Sequence, residues 1–366
     1  MKRLYILALI TLFSLLIISE VATSPADAQT TTTSRPTLAS PTPTPKAAPT
    51  LKEEDEIYKV ETELVNINVR VVDRNGRPIG GLRQGDFKIF EDDAPQKIEF
   101  FSQSEVPTNY SLVIDNSNSL RSQIEQVIEA SKILVAANRP ADETSIIRFV
   151  SSSKIEILED FTSNKTYLNE ALDSLYTEGG QTAIIDAVYL AAERVNTYEK
   201  SQKDDRMRRA LVLVSDGEDR DSFYKETQLF QLLRESDVQI YVVGFVRELS
   251  SDRGFITKSP QGKAKALLER LATETGGKSY FPNDVSELNG IAREIAAELR
   301  TQYSIGYIPT NDKQDGTFRN IRVLVDDGPN KTKRIPITRA GRTAEPAPGS
   351  RPSPTAQKPV QPAKNN

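Results

Sequence analysis

The chain has 366 residues, 37% of them hydrophobic, and a formal net charge of -4, a length and composition for one large or two modest domains with a proper core. Lys and Arg are spread along it rather than gathered into a basic stripe, so nothing asks for nucleic acid. It contains no His and no Cys, which removes Ser-His-Asp chemistry, imidazole acid-base catalysis, thiolate nucleophiles and the usual zinc ligands.

At the N-terminus Lys2-Arg3 precede the apolar run Leu4 to Ile18, and Ala26-Asp27-Ala28 follows as a small-x-small cleavage site. This pattern predicts a signal peptide over residues 1–28 and a periplasmic or secreted protein with no stable membrane span after cleavage. The run falls short of the roughly 20 apolar residues that cross a bilayer, which sets a retained signal anchor second. The lack of cysteine is compatible with an oxidising compartment without demanding one. Residues 29–56 read as a Pro/Thr-rich linker, including Pro41-Thr42-Pro43-Thr44-Pro45, and residues 343–366 as a Pro-rich disordered tail.

Between these ends the pattern changes twice. In 57–106, Val65, Ile67, Val69 and Val71 alternate with polar residues before a turn at Asp73-Arg74-Asn75-Gly76, and Asp86 to Glu91 and Lys97 to Phe101 give further antiparallel strands. In 107–308, β-branched runs of strand length alternate with helical stripes. The runs include Ser111 to Ile114, Ser145 to Val150, Ala210 to Val214 and Ile240 to Gly244, with Lys154 to Leu158 as an edge strand and a short strand at Ser279 to Phe281. Apolar stripes mark helices over Ile124 to Val135, Ala183 to Val195, Leu229 to Leu233, Ala264 to Leu271 and Val285 to Leu299, the last capped by Asn283 or Asp284. The order β-α-β-β-α-α-β-α-β-α-β-α predicts an α/β fold with a doubly wound, mostly parallel sheet. In 309–342, Arg319 to Val325 and Arg334 to Thr338 return to the alternating pattern, so both flanks are expected to pack together as a small antiparallel β-domain.

Asp115 follows the first buried strand and opens Asp115-Asn116-Ser117-Asn118-Ser119; Asp216 follows the strand ending at Val214. Ligands of open doubly wound sheets bind outside the strand C-termini where strand order reverses, and these two carboxylates face one another if their strands are neighbours there. Gly179-Gly180-Gln181-Thr182 adds a hydroxyl at the entrance of a helix. Two carboxylates and three hydroxyls form an all-oxygen set suited to a hard divalent ion, and neutral hydroxyls would leave that ion able to accept a partner's carboxylate.

Asp115-x-Ser117-x-Ser119, Thr182 and Asp216 resemble the metal-ion-dependent adhesion site of von Willebrand factor type A (vWA) domains. The resemblance implies that these five residues hold Mg²⁺, or Mn²⁺ or Ca²⁺, directly or through water. It also implies that the metal accepts an acidic residue of a protein ligand and that the domain is an adhesion or scaffold module, not an enzyme. Gly276-Gly277 looks like the family's late Gly-Gly turn before its last strand. Asn75-Gly76-Arg77-Pro78, Gly81-Leu82, Asp86-Phe87, Glu91-Asp92 and Tyr303-Ser304-Ile305-Gly306-Tyr307 further resemble VWFA-related proteins of acidobacterial genomes, so that the likeness spans about Glu63 to Arg342. One departure is Asn118, where the family usually has Gly.

Other readings compete locally. An Asp at a strand end is commonly a cap, and Thr182 could itself cap the next helix. Glu218, Asp219 and Asp221 read as a solvated acidic loop rather than further ligands. Ala272 to Ser279 mimics a phosphate-binding loop, but a helix precedes it and a strand follows, the reverse of what that loop needs. A metal-dependent phosphohydrolase would carry a carboxylate at the position of Ser117. A metal-free structural vWA scaffold is the remaining alternative.

Overall fold

The protein is described from a computed structural model, over residues 64–103, 106–198, 207–249 and 259–344. The expected signal peptide and Pro/Thr-rich linker, and nearly all of the Pro-rich tail, lie outside the described residues.

Four strands come first: β1 (Val65–Val72), β2 (Phe87–Glu91), β3 (Ala94–Gln96) and β4 (Ile98–Ser102). The α/β layer then runs β5 (Thr108–Asp115), α1 (Ile124–Ala137), β6 (Glu143–Ser151), β7 (Lys154–Thr162), α2 (Lys165–Asp173), α3 (Ile184–Thr197), β8 (Arg208–Ser215), α4 (Glu226–Glu235), β9 (Gln239–Gly244), α5 (Pro260–Thr275), β10 (Ser279–Tyr280) and α6 (Leu288–Thr301). That is the order read from the alternation of runs and stripes. Last come β11 (Tyr303–Tyr307), β12 (Phe318–Val325), β13 (Ile335–Ile337) and β14 (Gly341–Thr343).

The central sheet has the order β10-β9-β8-β5-β6-β7, parallel except for β7, which pairs antiparallel with β6 at the edge. Its inner strands are apolar on both faces because helices cover both. Period two sorts their side chains: Tyr110, Leu112, Ile114, Val212 and Val214 pack with α1, α2 and α6. Val113, Ile147, Leu211, Leu213 and Val242 pack with α3, α4 and α5.

Two junctions show the sequence acting locally. Ser259 accepts from the Gly262 amide at 3.1 Å with Pro260 in the first turn, starting α5. The same helix stops at Gly276, whose φ of 75° is left-handed, and a Cβ on Gly277 would lie 2.0 Å from the Ile240 carbonyl oxygen. The Gly-Gly turn is therefore a steric requirement for β10 to reach β9. The helix before it and the strand after it also leave no phosphate-binding loop. Asp284 accepts from the Ser286 amide at 2.9 Å, at the short turn that leads into α6.

The flanks form two four-stranded antiparallel sheets, β13-β1-β11-β4 and β14-β12-β2-β3, each using strands from both sides of the α/β layer. Val65, Ile67, Val69, Phe87, Ile89, Tyr303, Ile305, Tyr307, Ile321 and Val323 share one core between them. Tyr303–Tyr307, counted with the α/β unit in the 107–308 range, sits between β1 and β4, so the α/β layer ends with α6.

Buried polar links join the flanks to this layer. The Arg70 guanidinium of β1 pairs with Glu298 of α6 and donates to the Gly277 carbonyl at 3.1 Å. Within the layer itself, Arg208 of β8 donates to the carbonyls of Leu299 at 2.9 Å and Gln302 at 2.7 Å, satisfying the C-terminal end of α6.

Candidate metal centre

β5 and β8 are parallel neighbours with Ile114 opposite Val214, so Asp115 and the Ser215-Asp216 pair emerge at one level of the sheet's C-terminal edge. The chain leaves β5 toward β6 on one side and returns to β8 on the other, which makes this the point where strand order reverses. Asp115 is 0% and Asp216 3% exposed. One Asp115 oxygen accepts from the Ser117 amide at 2.9 Å, and the other from the Ser215 hydroxyl at 2.7 Å. The Ser117 and Ser119 hydroxyls lie 2.8 Å apart, and Asp216 accepts from the Glu218 amide at 2.9 Å, closing the turn that follows it.

Three loops are laced together around these groups. The Asn116 amide donates to the Phe149 carbonyl and the Glu178 amide to the Asn116 carbonyl, both at 2.8 Å. The Arg220 amide donates to the Thr182 carbonyl, also at 2.8 Å, which fastens the loop after Asp216 to the loop carrying Thr182. The Thr182 side chain does not cap α3. Instead Asp219 accepts from the Ile185 amide and Ser222 from the Asp186 amide, each at 3.2 Å. No hydrogen bond of the Thr182 hydroxyl occurs among the described residues, and Thr182 is buried.

The acidic residues after Asp216 have structural partners: Glu218 pairs with Arg220, Asp219 holds the start of α3, and Asp221 accepts from the Ser152 amide at 3.3 Å. Asn118 opens a short helical turn, Asn118–Leu120, and is not among the residues with positive φ. No glycine is therefore needed there, and its side chain accepts from Arg121 at 2.8 Å.

Two contributors escaped sequence reasoning. Ser215, a lone hydroxyl ending an apolar strand, orients Asp115 and accepts from the Gly217 amide at 3.0 Å. Asp186, a buried carboxylate among the apolar residues of α3, accepts from the amides of Phe223 and Tyr224, both at 2.8 Å, and from the Ser152 hydroxyl at 2.5 Å. A charged residue inside an apolar helical stripe was the signal for it.

Burial pushes the Asp115 carboxyl up to about 6; the Ser117 hydroxyl works against this and the Asp216 charge works with it. Among the described residues neither carboxylate forms an ion pair with Lys or Arg. Nor does any cluster of three or more acidic side chains suit a metal, so an ion here would draw on hydroxyls as well as carboxylates.

The model of the von Willebrand factor type A domain family matches residues 111–294, half of the chain and the whole stretch from β5 into α6. The chain belongs to this family.

Among solved structures, the vWA fold here is similar to an aerotolerance-related membrane protein from Bacteroides fragilis at 21% identity, over 52% of this chain and 98% of that one, with a TM-score of 0.40. A von Willebrand factor type A protein from Catenulispora acidiphila matches at 12% identity over 77% of this chain and 75% of that one, TM-score 0.42. Proximal thread matrix protein 1 from the mussel byssus, solved with a zinc-occupied adhesion motif, matches at 16% identity over 54% and 48%, TM-score 0.42. No curated protein matches the chain.

The vWA donor set fits a hard divalent cation on its chemistry. Among the described residues the two buried carboxylates at this sheet edge have no cationic partner, the Ser117 and Ser215 hydroxyls lie at Asp115, and Thr182 is not engaged by its own helix. Asp115, Ser117, Ser119, Thr182 and Asp216 are the residues that would hold it.

Proposed function

We propose that this vWA protein works outside the cytoplasm as a binding module, and that a divalent ion at Asp115, Ser117, Ser119, Thr182 and Asp216 accepts an acidic side chain from a protein partner. The carrying observation is the pair of buried carboxylates, Asp115 and Asp216, without a Lys or Arg partner among the described residues and with the Ser117 and Ser215 hydroxyls at Asp115. When bound, Mg²⁺ supplies an electrophile with positions open to an outside carboxylate. The chain's own residues do the rest: Ser215 and the Ser117 amide orient Asp115, and the Arg220 to Thr182 bond keeps the second and third loops in register.

Binding rather than catalysis is supported by Ser117, a hydroxyl where an aspartyl-nucleophile phosphohydrolase would place its second carboxylate. A periplasmic or secreted location rests on the Lys2-Arg3 and Leu4 to Ile18 pattern. Among the described residues no helix is long and apolar enough to cross a membrane. The domain limits belong to this proposal: a signal peptide over 1–28, a linker over 29–56, the flanking β segments and a Pro-rich tail from 343, around an α/β layer that ends at α6.

A random dodecapeptide library displayed on phage, selected on the protein in Mg²⁺ and eluted with EDTA, tests this reading. The eluted peptides are expected to share an Asp or Glu, to lose binding when that residue becomes Asn or Gln, and to ignore Asp115→Ala protein. Peptides that bind equally well in EDTA and to Asp115→Ala would remove the metal from the mechanism.

A further inference from the structure

Phe223 is the most exposed large hydrophobic residue among those described, at 80%. It stands on the loop that follows Asp216, and it is held there. Asp186 takes the amides of Phe223 and Tyr224, and the Tyr224 ring stacks on Tyr189 of α3 with centroids 3.9 Å apart and 11° between planes. The Phe223 ring meets Tyr224 edge-on at 5.4 Å. A buried carboxylate, two backbone bonds and an aromatic stack thus fix the base of a ring that faces water.

A second ring is placed in a similar way on the loop carrying Thr182. Tyr176 is 53% exposed, Arg148 lies 4.5 Å above its ring and donates to its hydroxyl at 3.1 Å, and its carbonyl accepts from the Asn116 side chain at 2.8 Å. Asn116 directly follows Asp115. Both rings therefore belong to the hydrogen-bonded frame that carries the candidate metal residues.

Burying a flexible aromatic on binding costs side-chain and loop ordering, whereas a ring already fixed avoids most of that cost; rigid aromatics beside a polar centre are the usual energetic anchors of interfaces. We infer that Phe223 is the apolar anchor of the interface, and that the partner is an acidic protein segment with a large apolar side chain next to its acidic residue. This rests on the metal reading above and adds a specificity element to it. Continuity with the metal loops selects this occupant: the Arg220 amide bond to Thr182 and the adjacent Asp219 bond to the start of α3 tie the loop that carries Phe223 to the loop that carries Thr182.

The EDTA-eluted peptides are expected to carry Phe, Leu, Ile, Met, Tyr or Trp within two residues of their shared acid. Affinity of one such synthetic peptide, measured by fluorescence anisotropy in Mg²⁺, is expected to fall ten- to hundredfold for Phe223→Ala and far less for Phe223→Leu. The Mg²⁺-induced rise in melting temperature should stay that of the wild type in both variants. A shared acid without an apolar neighbour, or unchanged affinity for Phe223→Ala, overturns the anchor while leaving the metal reading standing. An eluted pool with no shared acid overturns the metal reading itself. Concentration-dependent dimerisation in sedimentation velocity that Phe223→Ala abolishes would assign the ring to a second copy of the chain and overturn the partner named here.

Discussion

Replacing Arg70 with Ala is expected to destabilise the protein by about 3–5 kcal/mol, the cost of leaving a buried charge without its counter-ion. Arg70 is 3% and Glu298 0% exposed, and they pair across the junction between β1 and α6. Burial pushes the Glu298 carboxyl up, against Arg70 and Lys278, which pull it down. Without Arg70 the nearest remaining cation is Lys278, whose Nζ is 3.6 Å from Glu298 and which also pairs with Glu294. The double change Arg70→Met with Glu298→Met removes both charges and should recover most of the loss. Urea denaturation of the two singles and the double measures this coupling. A cost below about 1 kcal/mol for Arg70→Ala would show that the pair does not hold the flanking sheets to the α/β layer.

The second large effect has the opposite sign. Asp115→Asn keeps shape but removes a buried negative charge beside Asp216, so the metal-free variant is expected to be more stable than wild type at pH 7 by up to about 2–3 kcal/mol. Burial pushes the folded carboxyl up to about 6 from its ordinary value of 3.8. Above about pH 6 the charge is present in both states and opposes folding; as pH falls from 6 toward 4 only the folded state takes up the proton, so stability from this group rises. Below about 4 both states are protonated and the contribution is flat. Wild-type protein in EDTA should therefore gain on acidification from pH 7 to pH 5 a term that the Asn variant lacks, visible as a difference between their urea midpoints. With divalent metal present the order should reverse, because the ion favours the ionised carboxylate and the variant cannot supply it. An Asn variant less stable than wild type in EDTA at pH 7 would mean that the carboxylate's hydrogen bonds outweigh its burial.

Element type and order were legible because the inner strands carry unbroken β-branched runs and the helices clear apolar stripes. The partnership of the flanks followed from alternation at Val65 to Val71 and Arg319 to Val325, each with one apolar face needing cover. The place of Tyr303–Tyr307 was not legible, since a fully apolar-faced strand beside α6 reads the same whether it extends the central sheet or crosses to the other. At the candidate site, the positions of Asp115 and Asp216 at neighbouring strand ends and of Thr182 before α3 were legible from the apolar runs and the helical stripe. Ser215 and Asp186 were missed because their roles are tertiary: one hydroxyl reaches across to the neighbouring strand's carboxylate, and one helix carboxylate collects amides from a loop 37 and 38 residues further along the chain.

We propose that Asp115 and Asp216 form part of a divalent-cation site. It is tested most directly by a thermal-shift titration with Mg²⁺, Mn²⁺ and Ca²⁺ on the wild type and on Asp216→Ala. At least one ion is expected to raise the wild-type melting temperature progressively, equivalent to about 2.7 kcal/mol at a hundred times its Kd, while the variant does not respond. A flat response to all three ions in both proteins, or an equal rise in both, would contradict it.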